Sequence, residues 1–341
     1  MALETRPLGR TGIPVTTLGF GSAPLGDLYH RLDDATARGA VEAALEAGIT
    51  LYDTSPFYGH GLAEHRLGTA LRAAPRKSYV LSTKVGRWMD PLHQPADGNT
   101  QPPNFAGGLP HPARLDYSYD GAMRSLEQSL IRLGTDRIEI ALIHDVDVYS
   151  HGKDAVEGHF KAAMEGAYKA LEKLRAEKVI DAIGVGLNEA DMCERFARAG
   201  DFDTMLLAGR YSLLEQPALD SFLPLAQQKG IGMMLGGVFN SGILATGPVA
   251  GAKYNYRDAP PEILARVADI QRVCEAHGVS LADAALKFPL GHPAVASLVM
   301  GSVSAEETRR NRAAFDREVP AALWADLKTV GLLRPDAPTP A

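Results

Sequence analysis

Cysteine is nearly absent from this chain: only Cys193 and Cys274 occur among 341 residues, both in helix-like sequence. Two cysteines cannot build a disulfide framework or a cysteine zinc cluster, and we expect no metal site. No apolar run approaches the roughly 20 residues that span a bilayer. Residues 1–6 also lack the apolar core of a signal peptide. We therefore expect a cytoplasmic protein in a reducing environment.

An excess of positive charge is missing too. The formal net charge is -6 and the sequence pI is about 5.9. A nucleic-acid or membrane surface would favour a basic face, so neither partner is expected. With 45% hydrophobic and 22% charged residues, the composition is that of an ordinary globular protein. The expected partner is a small-molecule substrate, bound by a monomer or a small homo-oligomer.

No Gly/Ser-rich linker or charge run divides the chain, so we predict a single domain over residues 1–341. Strand-like and helix-like segments alternate, and each of eight strand-like segments precedes a helix. These segments lie near residues 18, 51, 81, 140, 182, 205, 234 and 298. Strict alternation favours a parallel sheet, and eight units suit an α/β fold of the (β/α)₈ barrel type. An open doubly wound sheet is the rival architecture, and residues 6–15 read as a hairpin that caps the barrel floor.

Residues 86–117 interrupt this alternation. Prolines and glycines are dense there, and no helical or strand period persists. Long loops of this kind are usually active-site lids or disordered spacers. The aromatic and cationic residues of the segment favour a lid: Arg87, Trp88, Phe105 and His111.

Three successive strand-like segments end in an ionisable residue: Asp53, Lys84 and His144, with Tyr58 five residues after Asp53. In a parallel barrel the carboxyl ends of the strands meet at one rim, so these side chains should be neighbours. A phenol titrates near pH ~10, and a nearby ammonium lowers that pKa. Taken singly, Asp53 and Lys84 would be a structural ion pair, Tyr58 a packing residue and His144 a hydrogen-bonded strand-end histidine. Their conjunction indicates proton-transfer chemistry.

These motifs resemble those of the aldo-keto reductases. The matching stretches are Asp53-(four residues)-Tyr58-Gly59, Ser82-Thr83-Lys84 and Leu142-Ile143-His144, within a similarity that runs from the hairpin at Leu8 to Asn311. The resemblance implies a catalytic tetrad in which Tyr58 is the proton donor or acceptor. Lys84 would favour its phenolate, Asp53 would orient Lys84, and His144 would hold the substrate oxygen.

Two glycine-rich stretches, residues 19–26 and 236–244, look like the aldose 1-dehydrogenase branch of the family, which includes L-fucose, D-threo-aldose and L-galactose dehydrogenases and some pyridoxal 4-dehydrogenases. The resemblance implies oxidation of the anomeric carbon of an aldose to a lactone. Phe57, Trp88 and Asp145 are the expected substrate contacts. The alternatives are oxidation of pyridoxal to 4-pyridoxolactone, a general aldehyde or ketone reductase, a Schiff-base aldolase acting through Lys84, and a non-catalytic nucleotide-sensing subunit.

The sequence lacks a complete Gly-x-Gly-x-x-Gly motif, since residues 184–189 have no third glycine, and a Rossmann site is not expected. The resemblance instead implies a nicotinamide cofactor in the barrel, with Asn188 at the carboxamide. Two departures weaken that pocket: the usual glutamine is replaced at Ala208 and the usual stacking tyrosine at Gly236. The remaining expected cofactor contacts are Gly21, Phe239, Ser241, Gly242 and Leu244, the last four through a phosphate-binding loop, and Ser302, Glu307 and Asn311 at the adenosine.

The choice between NAD and NADP depends on the residues at the adenosine end. Relatives that prefer NADP place a lysine and an arginine where this chain has Gly301 and Glu307. Glu307 would repel a phosphate and accept from a ribose hydroxyl, which favours NAD. Arg309 and Arg310 lie close by and keep NADP possible.

Overall fold

Eight parallel strands form a closed barrel in the computed structural model, which describes residues 2–103, 105–255 and 257–341. Residues 1, 104 and 256, which fall in the predicted domain 1–341 (residue 104 also in the predicted loop 86–117), lie outside this description. The barrel strands are β1 Leu18–Gly21, β2 Leu51–Asp53, β3 Val80–Val85, β4 Ile140–His144, β5 Ala182–Leu187, β6 Thr204–Ala208, β7 Gly232–Gly236 and β8 Val295–Gly301. Each pairs in parallel with the next, and β8 closes onto β1. The predicted (β/α)₈ barrel is confirmed, and the open sheet is excluded.

The α-helices surround this barrel. Their bounds are Asp34–Glu46, Leu62–Leu71, Tyr119–Leu133, Val148–Ala162, Tyr168–Ala176, Ala190–Ala199, Phe222–Lys229, Ile243–Thr246, Pro261–Ala276, Leu281–Lys287, Ala305–Phe315 and Ala321–Thr329. The helical segment after β4 begins at Val148, ten residues before the position expected from the pattern, and the Asp147 carboxylate caps its first turn by accepting from the N–H of Ser150. A kink at Gly152, with φ of 76°, separates this turn from the rest of the helix. In the described part of the chain, no helix is long and apolar enough to cross a membrane.

The barrel floor is closed by the predicted N-terminal hairpin, whose strands Thr5–Pro7 and Pro14–Thr16 pair antiparallel. Leu8 and Val15 are fully buried against interior barrel residues such as Leu142 and Met234. Arg6 donates to the carbonyls of Leu290 and Val295. Apolar burial, together with hydrogen bonds from the Arg6 side chain to backbone carbonyls, thus closes the end of the barrel opposite the strand C-termini.

The segment 86–117 differs from the loop that the sequence predicts, because it contains a three-stranded antiparallel sheet of Arg87–Met89, Thr100–Gln101 and Ala113–Leu115. A buried ion pair between Arg114 and Asp90, 2.8 Å apart, holds this lid sheet together. Gln128 of the following helix exchanges two 2.9 Å hydrogen bonds with the backbone of Met89. Partners distant in sequence order this segment, which is why local periodicity did not reveal it.

Candidate active site

Asp53 and Lys84 form a buried ion pair where β2 and β3 end. The two side chains are almost fully buried, and Lys84 Nζ lies 2.6 Å from Asp53 Oδ2. Nζ also donates to the carbonyl of Thr54 at 2.7 Å, while Ser82 Oγ donates to Asp53 Oδ1 at 2.8 Å. Burial by itself would lower the pKa of Lys84, but Asp53 and Tyr58 outweigh it and raise the pKa above its usual value. Lys84 is therefore a fixed positive charge.

Tyr58 lies directly beside this charge. Lys84 Nζ is 4.7 Å from the centre of the Tyr58 ring. We expected Lys84 to lower the pKa of Tyr58, but the net shift has the opposite sign. Burial raises the pKa of Tyr58 above 10, and the lowering by Lys84 offsets only part of it. In the free chain Tyr58 is thus a protonated phenol at neutral pH.

His144 ends β4 on the other side of Tyr58, with the two rings edge to face and 5.9 Å apart. Its Nδ1 lies 3.1 Å from Ser55 Oγ and its Nε2 lies 3.3 Å from Asp145 Oδ1. Burial, with the positive charges of Lys84 and Arg87, lowers the pKa of His144 well below 6.5. The imidazole is therefore neutral and serves as a hydrogen-bond donor or acceptor rather than a cation.

Gly186 on β5 makes room for the lysine. A Cβ at this position would lie 3.3 Å from Cε and 3.5 Å from Cδ of Lys84. The carbonyl of Gly186 also accepts from the backbone N–H of Asp145 at 2.9 Å. The incomplete glycine motif of residues 184–189 does not predict this role, in which Gly186 leaves space for the Lys84 side chain.

A cavity of about 800 Å³ opens above the four residues. Tyr58, Lys84 and His144 line its base, and the predicted substrate residues Phe57 and Asp145 line its wall. Sequence reasoning missed several other lining residues: Leu28, Gln101, Tyr149 and Arg257. Tyr149 and Arg257 carry no local signal, because only the folding of distant loops over the barrel brings them to the cavity.

Trp88 does not lie where we predicted it. Its indole is buried in the lid sheet and packs beneath the guanidinium of Arg124, 4.1 Å from the ring centre. The neighbouring Arg87 points the other way and lines the cavity. Successive residues of a strand face opposite sides, so only one of this pair can reach the cavity.

The expected nicotinamide residue Asn188 lines the same cavity. Its backbone N–H and Nδ2 both donate to Asp147 Oδ2, at 2.8 and 3.1 Å. Gly236 ends β7, and a Cβ there would make only ordinary contacts with the side chains of Leu206 and Ala208, at 3.5 and 3.9 Å.

The predicted phosphate loop follows β7. Ser241 and Asn188 line one small cavity together, and Ser241 and Gly242 have left-handed backbones with φ of 61° and 99°. The N–H groups of Gly242 and Leu244, which we expected to face phosphates, both donate to the carbonyl of Phe239 at 3.0 and 3.1 Å. This is a correction, because these two donors close the turn itself.

The adenosine-end residues also lie together. Gly21 and Gly301 pair at the ends of β1 and β8, and Asn311 Nδ2 donates to Ser302 Oγ at 3.2 Å. Glu307 has a structural partner as well: Oε2 accepts from the N–H of Val303 at 2.9 Å, at the start of helix Ala305–Phe315. Gly21, Gly301, Ser302 and Asn311 thus lie together where β8 meets β1.

Comparison with known proteins agrees with this geometry. The model of the Aldo/keto reductase family matches residues 17–331. A pyridoxal 4-dehydrogenase from Microbacterium luteolum is 42% identical, over 97% of this chain and 98% of that protein. A D-threo-aldose 1-dehydrogenase from Pseudomonas sp is 38% identical, over 96% and 97%. The holo form of an aldo-keto reductase from Bacillus halodurans superposes with a TM-score of 0.75 over 96% of each chain; at 23% identity this likeness concerns the fold alone.

Proposed function

Because the chain belongs to the aldo/keto reductase family, we propose that it oxidises the hydroxyl-bearing carbon of a cyclic hemiacetal to a lactone with a nicotinamide cofactor. The observation that carries the proposal is the position of Tyr58 beside Lys84, an ammonium held by its ion pair with Asp53. The anomeric carbon of an aldose is the reacting centre we favour. An aldose 1-dehydrogenase among the relatives, 38% identical, supports this choice.

The residues of the site divide the work as follows. The nicotinamide, when bound, supplies the hydride acceptor. The C–H bond of the substrate breaks as its electron pair leaves with the hydrogen, and the O–H bond breaks as Tyr58 takes the proton. A carbonyl forms on the same carbon. Lys84 stabilises the phenolate that this transfer requires, Asp53 holds Lys84 in place, and neutral His144 bonds the substrate oxygen.

A second candidate substrate is pyridoxal, whose cyclic hemiacetal presents the same reacting group. The specific observation in its favour is the aromatic wall of the cavity, where Phe57 and Phe105 meet edge to face at 5.5 Å. No carboxylate is found among the described lid residues that line the cavity. Flat rings stack on such walls, whereas sugar hydroxyls favour carboxylates, and Asp145 lines the cavity outside the lid. The pyridoxal 4-dehydrogenase at 42% identity adds to this support.

A Schiff-base aldolase is disfavoured by the state of Lys84. An amine that attacks a carbonyl needs its lone pair, which means a lowered pKa. Lys84 instead has a raised pKa and donates to Asp53 and Thr54.

We propose NAD as the preferred cofactor. Arg309 pairs with Glu46 on helix Asp34–Glu46 at 3.0 Å, so its charge already has a partner. The family resemblance puts Glu307 where NADP-preferring relatives have an arginine, and its carboxylate would repel a 2′-phosphate. Arg310 lies 3.7 Å from that carboxylate and offsets part of its charge.

The test is a substrate panel in which NADH or NADPH formation is followed with several aldoses, pyridoxal and simple alcohols. We expect turnover with at least one cyclic hemiacetal and none with acyclic alcohols of similar size. Identifying the product as a lactone would support the proposal. Turnover confined to acyclic carbonyl compounds in the reductive direction would overturn it, and a borohydride-trapped adduct at Lys84 would indicate an aldolase.

A further inference from the structure

We propose that Arg87 and Asp145 are positioning residues that select one tautomer of His144, the form with its proton on Nε2. This inference rests on the proposed function, because it concerns how the same site holds the substrate oxygen.

The two nitrogens of the His144 ring have different neighbours. Nε2 lies 3.3 Å from Asp145 Oδ1 without the alignment of a hydrogen bond, and beside a carboxylate an N–H on Nε2 is electrostatically favoured over a lone pair. Nδ1 lies 3.1 Å from Ser55 Oγ. That hydroxyl accepts from the N–H of Phe57 at 3.1 Å, and its own proton can be donated to Nδ1. The Asp145 carboxylate therefore favours a ring protonated on Nε2, and the Ser55 hydroxyl accommodates this form by donating to Nδ1.

The backbone conformation of Asp145 sets the position of its carboxylate. Its backbone φ of 55° lies in the left-handed region, which aspartate tolerates better than most residues. That turn brings the carboxylate back toward the ring of the preceding residue. The N–H of Asp145 donates to Gly186, which anchors the turn to β5.

Arg87 anchors the other carboxylate oxygen. Its Nη1 donates to Asp145 Oδ2 at 2.9 Å, and its Nε donates to Gln101 Oε1 of the lid sheet at 2.7 Å. The guanidinium also stacks over Phe57, with the guanidinium carbon 4.3 Å from the ring centre. Because Arg87 is almost fully buried, these contacts are well protected from water. Arg87 thus connects Gln101 of the lid sheet to Asp145 and Phe57, both of which lie beside the His144 ring.

The Nε2–H tautomer of His144 provides a hydrogen-bond donor for the substrate oxygen. It presents an N–H to the cavity, where a substrate oxygen can replace the long contact to Asp145. The opposite tautomer would present a lone pair, which repels a substrate oxygen that also carries lone pairs. Arg87 and Asp145 therefore act through His144 and need not touch the reacting atoms.

The decisive experiment is nitrogen-15 NMR of histidine side chains in the free protein, which distinguishes protonated from unprotonated ring nitrogens. The His144 signals are assigned by their loss in His144→Gln. We expect the Nε2–H form in the wild type. In Asp145→Asn the single amide oxygen can serve either Arg87 or His144, and the arginine cation is the stronger partner. The amide NH₂ should then face Nε2, and His144 should change to the Nδ1–H form.

Replacing Arg87, which competes with His144 for the amide oxygen in Asp145→Asn, should reverse the change of tautomer. In Arg87→Met/Asp145→Asn the amide oxygen is released from Arg87, and we expect the Nε2–H form to return. Asp154→Asn, which removes an exposed carboxylate from helix Val148–Ala162, is the matched control and should leave the His144 signals unchanged. With a turned-over substrate, kcat of Asp145→Asn should fall by about tenfold or more, a part of the ~10²–10⁴-fold that a positioned proton-transfer group contributes. NADH binding should be unaffected, and the double variant should recover part of the lost kcat.

Three results would overturn the inference: an Nδ1–H form in the wild type, an unchanged tautomer in Asp145→Asn, or no return in the double variant. Because the tautomer is measured without substrate, failure of the proposed reaction leaves this test intact. The wild-type spectrum alone decides the first point if a variant does not fold.

Discussion

A Cβ on Gly186 would lie 3.3 Å from Cε of Lys84, so the lysine side chain would have to move by a few tenths of an ångström. Lys84 has little freedom to yield, since its ammonium bonds Asp53 and the carbonyl of Thr54. We predict that Gly186→Ala lowers kcat several-fold and destabilises the fold by about 1–3 kcal/mol, as overpacking does. Urea unfolding and steady-state kinetics measure both effects. Gly98→Ala is the control, because nothing lies within 4 Å of a Cβ there; equal effects of both substitutions would contradict this reading.

Tyr58→Phe should abolish turnover while nucleotide binding persists. The substitution keeps the ring beside Lys84 and removes only the hydroxyl that carries the proton, so the loss should reach at least the ~10²–10⁴-fold typical of proton-transfer groups. NADH fluorescence titration measures binding, and rapid assays measure turnover. Tyr79→Phe, a hydroxyl deletion below the start of β3, should change neither quantity. Near wild-type activity in Tyr58→Phe would remove Tyr58 from the mechanism.

Oxidation should become faster as pH rises through the neutral and alkaline range. Burial raises the pKa of Tyr58 above 10 despite Lys84, so the phenolate that accepts the proton is a minor species at neutral pH. Below the folded-state pKa its fraction falls about tenfold per pH unit, whereas reduction uses the abundant phenol. We expect kcat/KM for oxidation to rise with pH and kcat/KM for reduction to stay level. The tyrosinate absorbance of wild type minus Tyr58→Phe reports this pKa directly, and phenolate at neutral pH would contradict the prediction.

Breaking the Asp53–Lys84 pair should cost more stability than removing it. Lys84→Met leaves a buried carboxylate without its cation, which typically costs about 3–5 kcal/mol of the free energy of unfolding. Asp53→Asn/Lys84→Met removes both charges and should recover most of that loss. Activity should be absent in both variants, because neither has a cation beside Tyr58. Chemical unfolding separates the two effects, and a double variant as unstable as Lys84→Met would show that packing rather than charge dominates.

Glu307→Gln should raise the affinity for NADP relative to NAD. The amide oxygen can still accept from the N–H of Val303, so the start of helix Ala305–Phe315 is preserved, while the charge that repels a phosphate is lost. Dissociation constants for both nucleotides give the ratio, and we expect it to shift severalfold. Glu306→Gln, an exposed neighbour in the same helical turn, is the control. An unchanged ratio, or a wild type that strongly prefers NADP, would refute the role given to Glu307.

The order of the barrel and the neighbourhood of Asp53, Lys84 and His144 followed from the sequence alone. Alternating strand and helix patterns predict a parallel barrel, and the carboxyl ends of parallel strands share one rim. Residues that end successive strands must then lie side by side whatever the packing details. The hairpin under the barrel was predictable for a similar reason, because its turn and its pairing are local.

Only the tertiary structure decided what each side chain touches. Trp88 packs under Arg124 and Arg87 takes the cavity side, because the lid folds into a sheet held by Asp90 and Arg114. The sign of the Tyr58 pKa shift depends on how completely the ring is buried, which no pattern of neighbours along the chain reveals. Periodicity specifies elements and the direction of their residues, whereas desolvation and hydrogen-bond partners arise where segments distant in sequence meet.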